Sequence, residues 1–108
     1  MQKCLAILGA GRVGRALGRR LREAGWKIGA VVTRSEATAR KAVRFIGAGQ
    51  AHAVAVRSLL AAPVILVTVP DDALEEAGAE LARIGAEELR GKIVFIPAAL
   101  SILPHSTR

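Results

Sequence analysis

The sequence predicts an α/β fold, a three-layer α/β/α arrangement in which helices cover both faces of a mainly parallel sheet of about five strands. Short apolar runs alternate with longer stretches of helical periodicity, which is typical of β-α-β units. The runs lack the polar alternation of half-exposed strands, so they suit parallel strands buried on both faces. The 108 residues are 52% hydrophobic and only 3% aromatic, which predicts one domain, residues 1–108, with an aliphatic core.

The first half of the chain begins this alternation. Its predicted strands are residues 3–8, 27–33 and 51–56, and its predicted helices are residues 12–24 and 36–46. The apolar spacing of the first helix predicts a buried face made of Val13, Leu17, Leu21 and Ala24. Gly25 stands where a helix commonly ends, and Ser35 is a suitable N-cap for the second helix.

The second half continues the alternation. Residues 64–69 form a strongly apolar fourth strand, which Pro70 ends. A helix capped by Asp71 or Asp72 follows, with a predicted buried face made of Leu74, Ala77, Leu81 and Ile84. Residues 93–96 are the predicted fifth strand. Strands that alternate with helices predict a parallel sheet with right-handed crossovers. The expected strand order is 3-2-1-4-5, one mononucleotide-binding half plus part of the second.

A glycine-rich turn joins the first strand to the first helix. Its sequence is Gly9-Ala10-Gly11-Arg12-Val13-Gly14, and this spacing between a strand and an amphipathic helix indicates a Rossmann-type dinucleotide site. The first glycine permits the tight turn, the second lets the backbone approach the pyrophosphate, and the third lets the helix pack closely. The helix N-terminus offers its N–H groups to the phosphates. The predicted cofactor-binding residues here are Gly9, Gly11, Arg12, Val13 and Gly14.

Three basic residues, Arg12, Arg40 and Lys41, each have two interpretations. Arg12 either reaches a phosphate oxygen or faces solvent at the start of the helix. Arg40 and Lys41, on the second helix, either add positive potential near the adenosine end or belong to a solvated face. The glycines alone carry the prediction that a dinucleotide binds.

The residues after the second strand indicate which dinucleotide binds. NAD sites usually place Asp or Glu here to hold the ribose 2′-OH, whereas this chain has Thr33-Arg34-Ser35. A carboxylate would repel a 2′-phosphate, while Arg34 can pair with one bidentately. We therefore predict NADP(H) rather than NAD(H), with the hydroxyls of Thr33 and Ser35 as further donors. Two simpler interpretations stay open, a solvated Arg34 and a Ser35 that only caps its helix.

The end of the fourth strand supplies the third part of the predicted site, since carboxyl ends of parallel strands border the ligand crevice. Val69 and Pro70 are expected beside the ribose next to the nicotinamide. Asp71 and Asp72 either contact a substrate or cap the next helix. No catalytic residue is predicted, because the chain has no tyrosine and its two histidines fall at the third strand and in the tail. The small-molecule substrate is therefore left unassigned.

Charge and composition indicate which classes of partner this chain binds and which it does not. The chain has one cysteine, no apolar run of the roughly 20 residues that cross a bilayer and no signal-peptide layout. These features predict a cytoplasmic protein that does not bind a membrane. Residues 1–60 carry 12 basic and two acidic side chains, whereas residues 61–108 carry four and seven. The basic half indicates a phosphate-bearing partner, and without a nucleic-acid motif a cofactor is expected rather than nucleic acid.

With these residues placed, the chain resembles the N-terminal domain of the Rossmann-like oxidoreductases related to 6-phosphogluconate dehydrogenase, F420-dependent NADP oxidoreductase and pyrroline-5-carboxylate reductase. The segments that carry the resemblance, closest to a bacterial branch of NADP-binding oxidoreductases, are residues 7–14, 31–35, 67–74 and 91–94. The resemblance implies that Arg34 and Ser35 face the 2′-phosphate. It also implies that Val69 and Pro70 lie along the nicotinamide side.

The chain departs from these relatives in two ways. Residues 95–98 are Phe-Ile-Pro-Ala, where the branch usually has polar residues. The relatives also continue into a helical C-terminal domain, so the chain is expected to be either a fragment or a stand-alone cofactor-binding module. The alternative function is a nucleotide-sensing module of the kind that regulates potassium transport, although those modules typically carry Asp where this chain has Arg34. An exposed apolar sheet edge predicts a homodimer.

Overall fold

A computed structural model of the chain describes residues 3–9, 11–53, 56–69, 74–84 and 86–95. Its strands are β1 (Cys4–Leu8), β2 (Lys27–Thr33), β3 (Gln50–Ala53), β4 (Val64–Val67) and β5 (Ile93–Phe95). Its helices are α1 (Arg12–Glu23), α2 (Glu36–Ile46), α3 (Leu74–Ile84) and α4 (Ala86–Leu89), and a 3-10 helix covers Val56–Ala61. All strand pairs are parallel, in the order β3-β2-β1-β4-β5. The predicted fold class and strand order are confirmed.

The core has two layers, one on each face of the sheet. The central strand β1 divides its side chains between them. Leu5 and Ile7 pack with the apolar residues of α1 and α2, whereas Ala6 and Leu8 pack with Leu59 of the 3-10 helix and with α3 and α4. These four of the five β1 side chains are buried, as the absence of polar alternation predicts for a strand covered on both faces.

The predicted buried face of α1 is only half right. Leu17 and Leu21 are half-buried against the core, but Val13 is 53% exposed and Ala24 lies exposed beyond the end of the helix. The buried residues of α1 are instead Gly14 and Gly18. The helix approaches the sheet so closely that small residues line the contact, and this leaves Val13 turned outward.

The chain leaves α1 through a tight glycine turn, as predicted. Gly25 has a φ of +101°, a left-handed conformation that glycine adopts without strain. The Trp26 N–H donates to the Leu21 carbonyl at 2.9 Å and the Gly25 N–H to the Arg22 carbonyl at 3.0 Å. These two bonds form a Schellman motif, which satisfies the last carbonyls of the helix. The turn aims the chain directly into β2.

Strand β5 places three large apolar side chains on the surface. Ile93, Val94 and Phe95 are all exposed, and within the described residues β5 pairs with β4 alone. Its outer backbone edge therefore has no partner strand in that part of the chain. Among the described helices, none has the length and apolar character needed to cross a lipid bilayer.

Candidate functional site

Gly9 makes the turn that leaves β1. Its φ is +85°, and its N–H donates to the Val32 carbonyl at 2.7 Å. A Cβ at Gly9 would lie 2.7 Å from Val69 Cγ1 and 2.9 Å from the Val69 backbone nitrogen. Both the backbone conformation and the lack of space therefore require glycine, as expected for the first glycine of the turn.

The start of α1 is pressed against Thr68, which directly follows β4. A Cβ at Gly14 would overlap Thr68 Oγ1 and would lie 3.0 Å from Thr68 Cβ. The buried Thr68 hydroxyl donates to the Gly9 carbonyl at 2.7 Å, and the Thr68 N–H donates to the Leu8 carbonyl at 2.8 Å. Thr68 thus ties the end of β4 to the glycine turn and fixes where α1 begins.

The N-terminus of α1 has no side-chain cap among the residues that the structure describes. Gly11 is the N-cap residue in an extended conformation, without a side-chain hydrogen bond, and the first turn of the helix holds no acidic residue. The first N–H groups of a helix lack acceptors within the helix, and here the N-cap residue, a glycine, supplies none. A Cβ at Gly11 would meet only the Thr68 carbonyl oxygen, at 3.7 Å, among the described residues. This helix start can therefore receive an anion, whose charge the helix dipole favours.

Arg12 and Val13 lie at this same helix start, and both are exposed. An exposed Arg12 is compatible with both interpretations of its role, a contact to a phosphate oxygen and a solvated guanidinium. Val13 lies in the first turn of α1, so its backbone N–H belongs to the helix start. Its side chain is exposed and stays away from the core. The pyrophosphate of a dinucleotide fits this arrangement, because its oxygens need backbone donors and room for close approach.

Thr33 and Ser35, after β2, use their hydroxyls within the chain. Thr33 is buried and its hydroxyl bonds with the Ser35 backbone, donating to the carbonyl and accepting from the N–H at 3.3 Å. Ser35 Oγ accepts from the Thr38 N–H at 3.1 Å and contacts Thr38 Oγ1 at 2.9 Å. Ser35 is therefore the N-cap of α2, as predicted. The hydrogen bonds of these two hydroxyls fix the conformation of the loop that carries Arg34.

Arg34 lies between these two residues and projects from the carboxyl edge of the sheet. Its side chain is 80% exposed, and its Nη2 donates to Glu76 Oε1 at 2.8 Å. Glu76 belongs to the first turn of α3. The sequence gives no sign of this contact, because nothing in the local pattern relates two residues 42 positions apart.

The three predicted segments meet at one edge of the sheet. β1 lies between β2 and β4, so the turn at Gly9 is flanked by Arg34 on one side and by Thr68 and the half-buried Val69 on the other. Pro70, Asp71 and Asp72 fall outside the described residues, as does the histidine of the tail, His105. Within the described part, the site combines backbone donors with the exposed guanidinium groups of Arg12 and Arg34 and holds no paired nucleophile and general base.

The chain is similar to solved structures of NAD(P)-dependent oxidoreductases. An imine reductase from Myxococcus stipitatus in complex with NADP+ is 30% identical over 86% of this chain and 31% of its own, with a TM-score of 0.65. A variant of an imine reductase from the same organism in complex with NAD+ is 26% identical over 89% and 32%, with a TM-score of 0.65. The (S)-3-hydroxybutyryl-CoA dehydrogenase of Ralstonia eutropha, 15% identical over 89% and 41% with a TM-score of 0.69, shares the fold.

The chain therefore spans between 31% and 41% of the length of these structures. The comparison with curated proteins gives no match. The family described as NADP oxidoreductase, coenzyme F420-dependent, matches residues 4–99, which include the glycine turn, the loop at Arg34 and the end of β4. This match confirms the resemblance inferred from those segments. The chain belongs to the NADP oxidoreductase, coenzyme F420-dependent, family.

Proposed function

We propose that residues 1–108 act as the NADP(H)-binding domain of an oxidoreductase, with the pyrophosphate at the Gly9–Gly14 turn and the 2′-phosphate at Arg34. The observation that carries the proposal is the N-terminus of α1, which lacks a side-chain cap among the described residues and which Thr68 fixes at the same sheet edge as the exposed Arg34. The family match and the imine reductase in complex with NADP+ support the choice of cofactor. The bound cofactor supplies hydride transfer, and the protein supplies binding and orientation.

Each residue of the site would have its own role in binding the dinucleotide. The first-turn N–H groups of α1 hold the pyrophosphate, and Gly11 leaves room for it to approach. Arg12 adds a cation at the same helix start. Arg34 recognises the 2′-phosphate through its guanidinium, whose planar donors suit phosphate oxygens. Val69 would line the nicotinamide side of the crevice, where the sequence also predicts Pro70.

A thermal titration tests the choice of ligand. The purified chain is melted with NADPH, NADH or ATP at increasing concentration. A ligand that binds only the folded state at about 100 times its Kd adds about 2.7 kcal/mol, which raises the melting temperature of a domain this small by roughly 10 °C. NADPH should give the largest shift. A larger shift with NADH or ATP would instead favour the nucleotide-sensing alternative and reject the role given to Arg34.

The Arg34→Asp variant tests the assignment of the 2′-phosphate. A carboxylate at this position repels that phosphate and accepts the ribose 2′-OH, so the preference should turn from NADPH to NADH. Arg83→Asp is the matched control, because it makes the same charge change in the last turn of α3. An unchanged NADPH to NADH ratio in Arg34→Asp would remove Arg34 from the proposal, while cofactor binding itself would stand.

A further inference from the structure

The ion pair between Arg34 and Glu76 crosses the candidate site. Arg34 follows β2, and Glu76 lies on α3, the helix after β4. Because β1 lies between β2 and β4, the pair links the two segments that flank the glycine turn. It is the one ion pair that Arg34 makes among the described residues. Glu76 is therefore the acidic residue that contacts the proposed 2′-phosphate ligand, Arg34, among the described residues.

The geometry leaves this pair free to exchange partners. The side chains are 80% and 70% exposed, so neither is held by packing, and exposed pairs contribute little to stability. A single guanidinium nitrogen, Nη2, contacts a single carboxylate oxygen, Oε1. The other donors of the guanidinium stay available, since arginine presents five N–H groups.

A 2′-phosphate and the Glu76 carboxylate would compete for the same cation. A phosphate that binds Arg34 must either displace Glu76 or bind within a few ångströms of another anion, and both outcomes weaken its binding. NAD(H) carries a 2′-hydroxyl at this position, and a nearby carboxylate accepts its hydrogen bond in many dinucleotide sites. Glu76 thus has opposite consequences for the two cofactors.

We propose that Glu76 is a specificity-determining residue of the adenosine end, which lowers the preference of this site for NADP(H) over NAD(H) by competing for Arg34. The inference rests on the proposed function, since it assumes that the 2′-phosphate binds at Arg34. It explains why an arginine in the position expected for phosphate recognition is paired with a carboxylate from a distant helix. Removing the Glu76 carboxylate therefore increases the preference of the site for NADP(H) over NAD(H).

Glu75 provides a matched control for Glu76. Both residues are exposed and lie in the first turn of α3, so both carboxylates complement the helix dipole in the same way. Glu75 makes no ion pair among the described residues. The Glu75→Gln and Glu76→Gln variants therefore remove the same charge from the same turn, and they differ in the contact with Arg34.

Isothermal titration calorimetry at fixed ionic strength measures the binding of NADPH, NADH and adenosine 2′,5′-bisphosphate to the chain and to both variants. Glu76→Gln should bind NADPH and the bisphosphate about two- to fivefold more tightly, the range that an exposed ion pair permits. Its NADH binding should stay unchanged or weaken. Glu75→Gln should keep the NADPH to NADH ratio of the unmodified chain.

The outcomes separate this inference from the proposed function. If the unmodified chain binds the dinucleotides but Glu76→Gln leaves their ratio unchanged, or shifts it no more than Glu75→Gln does, the inference is overturned and the proposed function stands. If the unmodified chain binds neither dinucleotide, the proposed function and the inference are both overturned. Circular dichroism melts of the variants check that all of them are folded at the titration temperature.

Discussion

Gly11 and Gly14 belong to the same turn, but their surroundings are different. A Cβ at Gly14 would overlap Thr68 Oγ1 and would lie 3.2 Å from the Gly9 carbonyl oxygen. At Gly11 the nearest described atom would be the Thr68 carbonyl oxygen, 3.7 Å away, which is an ordinary contact. Gly14 is therefore required by the packing of the chain itself. Gly11 is open toward the outside, where the phosphates are proposed to bind.

This difference predicts opposite phenotypes for two alanine substitutions. Gly14→Ala should lower the free energy of unfolding by about 0.5 to 2 kcal/mol, because overpacking costs roughly 1–3 kcal/mol and alanine's helix propensity returns up to about 1. Gly11→Ala should cost no more than about 1 kcal/mol of stability, the loss of glycine at the N-cap of α1, while its methyl group weakens NADPH binding roughly tenfold or more by disturbing charged hydrogen bonds. Urea denaturation and calorimetry measure the two effects. A Gly11→Ala variant with undiminished NADPH affinity would place the pyrophosphate elsewhere.

At the residue scale, the sequence predicts the glycines but not their partners. The turn conformation at Gly9 and the close packing at Gly14 follow from a spacing pattern that is local in the chain. Thr68 and Glu76 act through contacts that span 59 and 42 residues. Such contacts exist only once the sheet has brought β1, β2 and β4 together, and no periodicity within the segment of either residue signals them.

At the element scale, hydrophobic periodicity identifies the helices more reliably than it identifies their buried sides. It predicts Val13 in the core because it counts apolar residues. In the structure, Gly18 faces the sheet, where a Cβ would lie 3.0 Å from Ile7 Cδ1 and 3.0 Å from Ile46 Cδ1. An analysis of hydrophobic periodicity gives glycine no weight. It therefore predicts the wrong buried face for a helix that packs through glycine. The same pattern places Leu81 of α3 correctly in the core.

The corrected orientation of α1 predicts unequal costs for two truncations. Val13→Ala should change the free energy of unfolding by no more than about 0.5 kcal/mol, because the side chain is exposed at the helix start. Leu81→Ala removes a buried side chain of similar type and should cost about 2–5 kcal/mol. Chemical denaturation of both variants compares them directly. A cost above about 2 kcal/mol for Val13→Ala would contradict the outward orientation of this side chain.

At the scale of the whole molecule, the two faces of the sheet are covered by helices of opposite charge, and this difference follows from the uneven distribution of charge along the sequence. The first half of the chain holds 12 of the 16 basic residues, and its helices α1 and α2 pack on one face of the sheet. The acidic helices α3 and α4 lie on the other face. Once the strand order of a Rossmann-type sheet is assumed, the rule of right-handed crossovers makes this layout predictable, because it fixes the side of the sheet on which each helix packs.

The edge of the sheet carries the last prediction, which concerns assembly. Unpaired edge strands with exposed apolar side chains tend to pair with another chain, and Ile93, Val94 and Phe95 on β5 are all exposed. We therefore expect a homodimer, measured by light scattering as about twice the 11.3 kDa mass of the chain. Val94→Lys puts a charge on this edge and should shift the mass toward the monomer. Val13→Lys, an exposed valine on α1, should leave the dimer intact, and a monomeric mass for the unmodified chain at high concentration would refute the expectation.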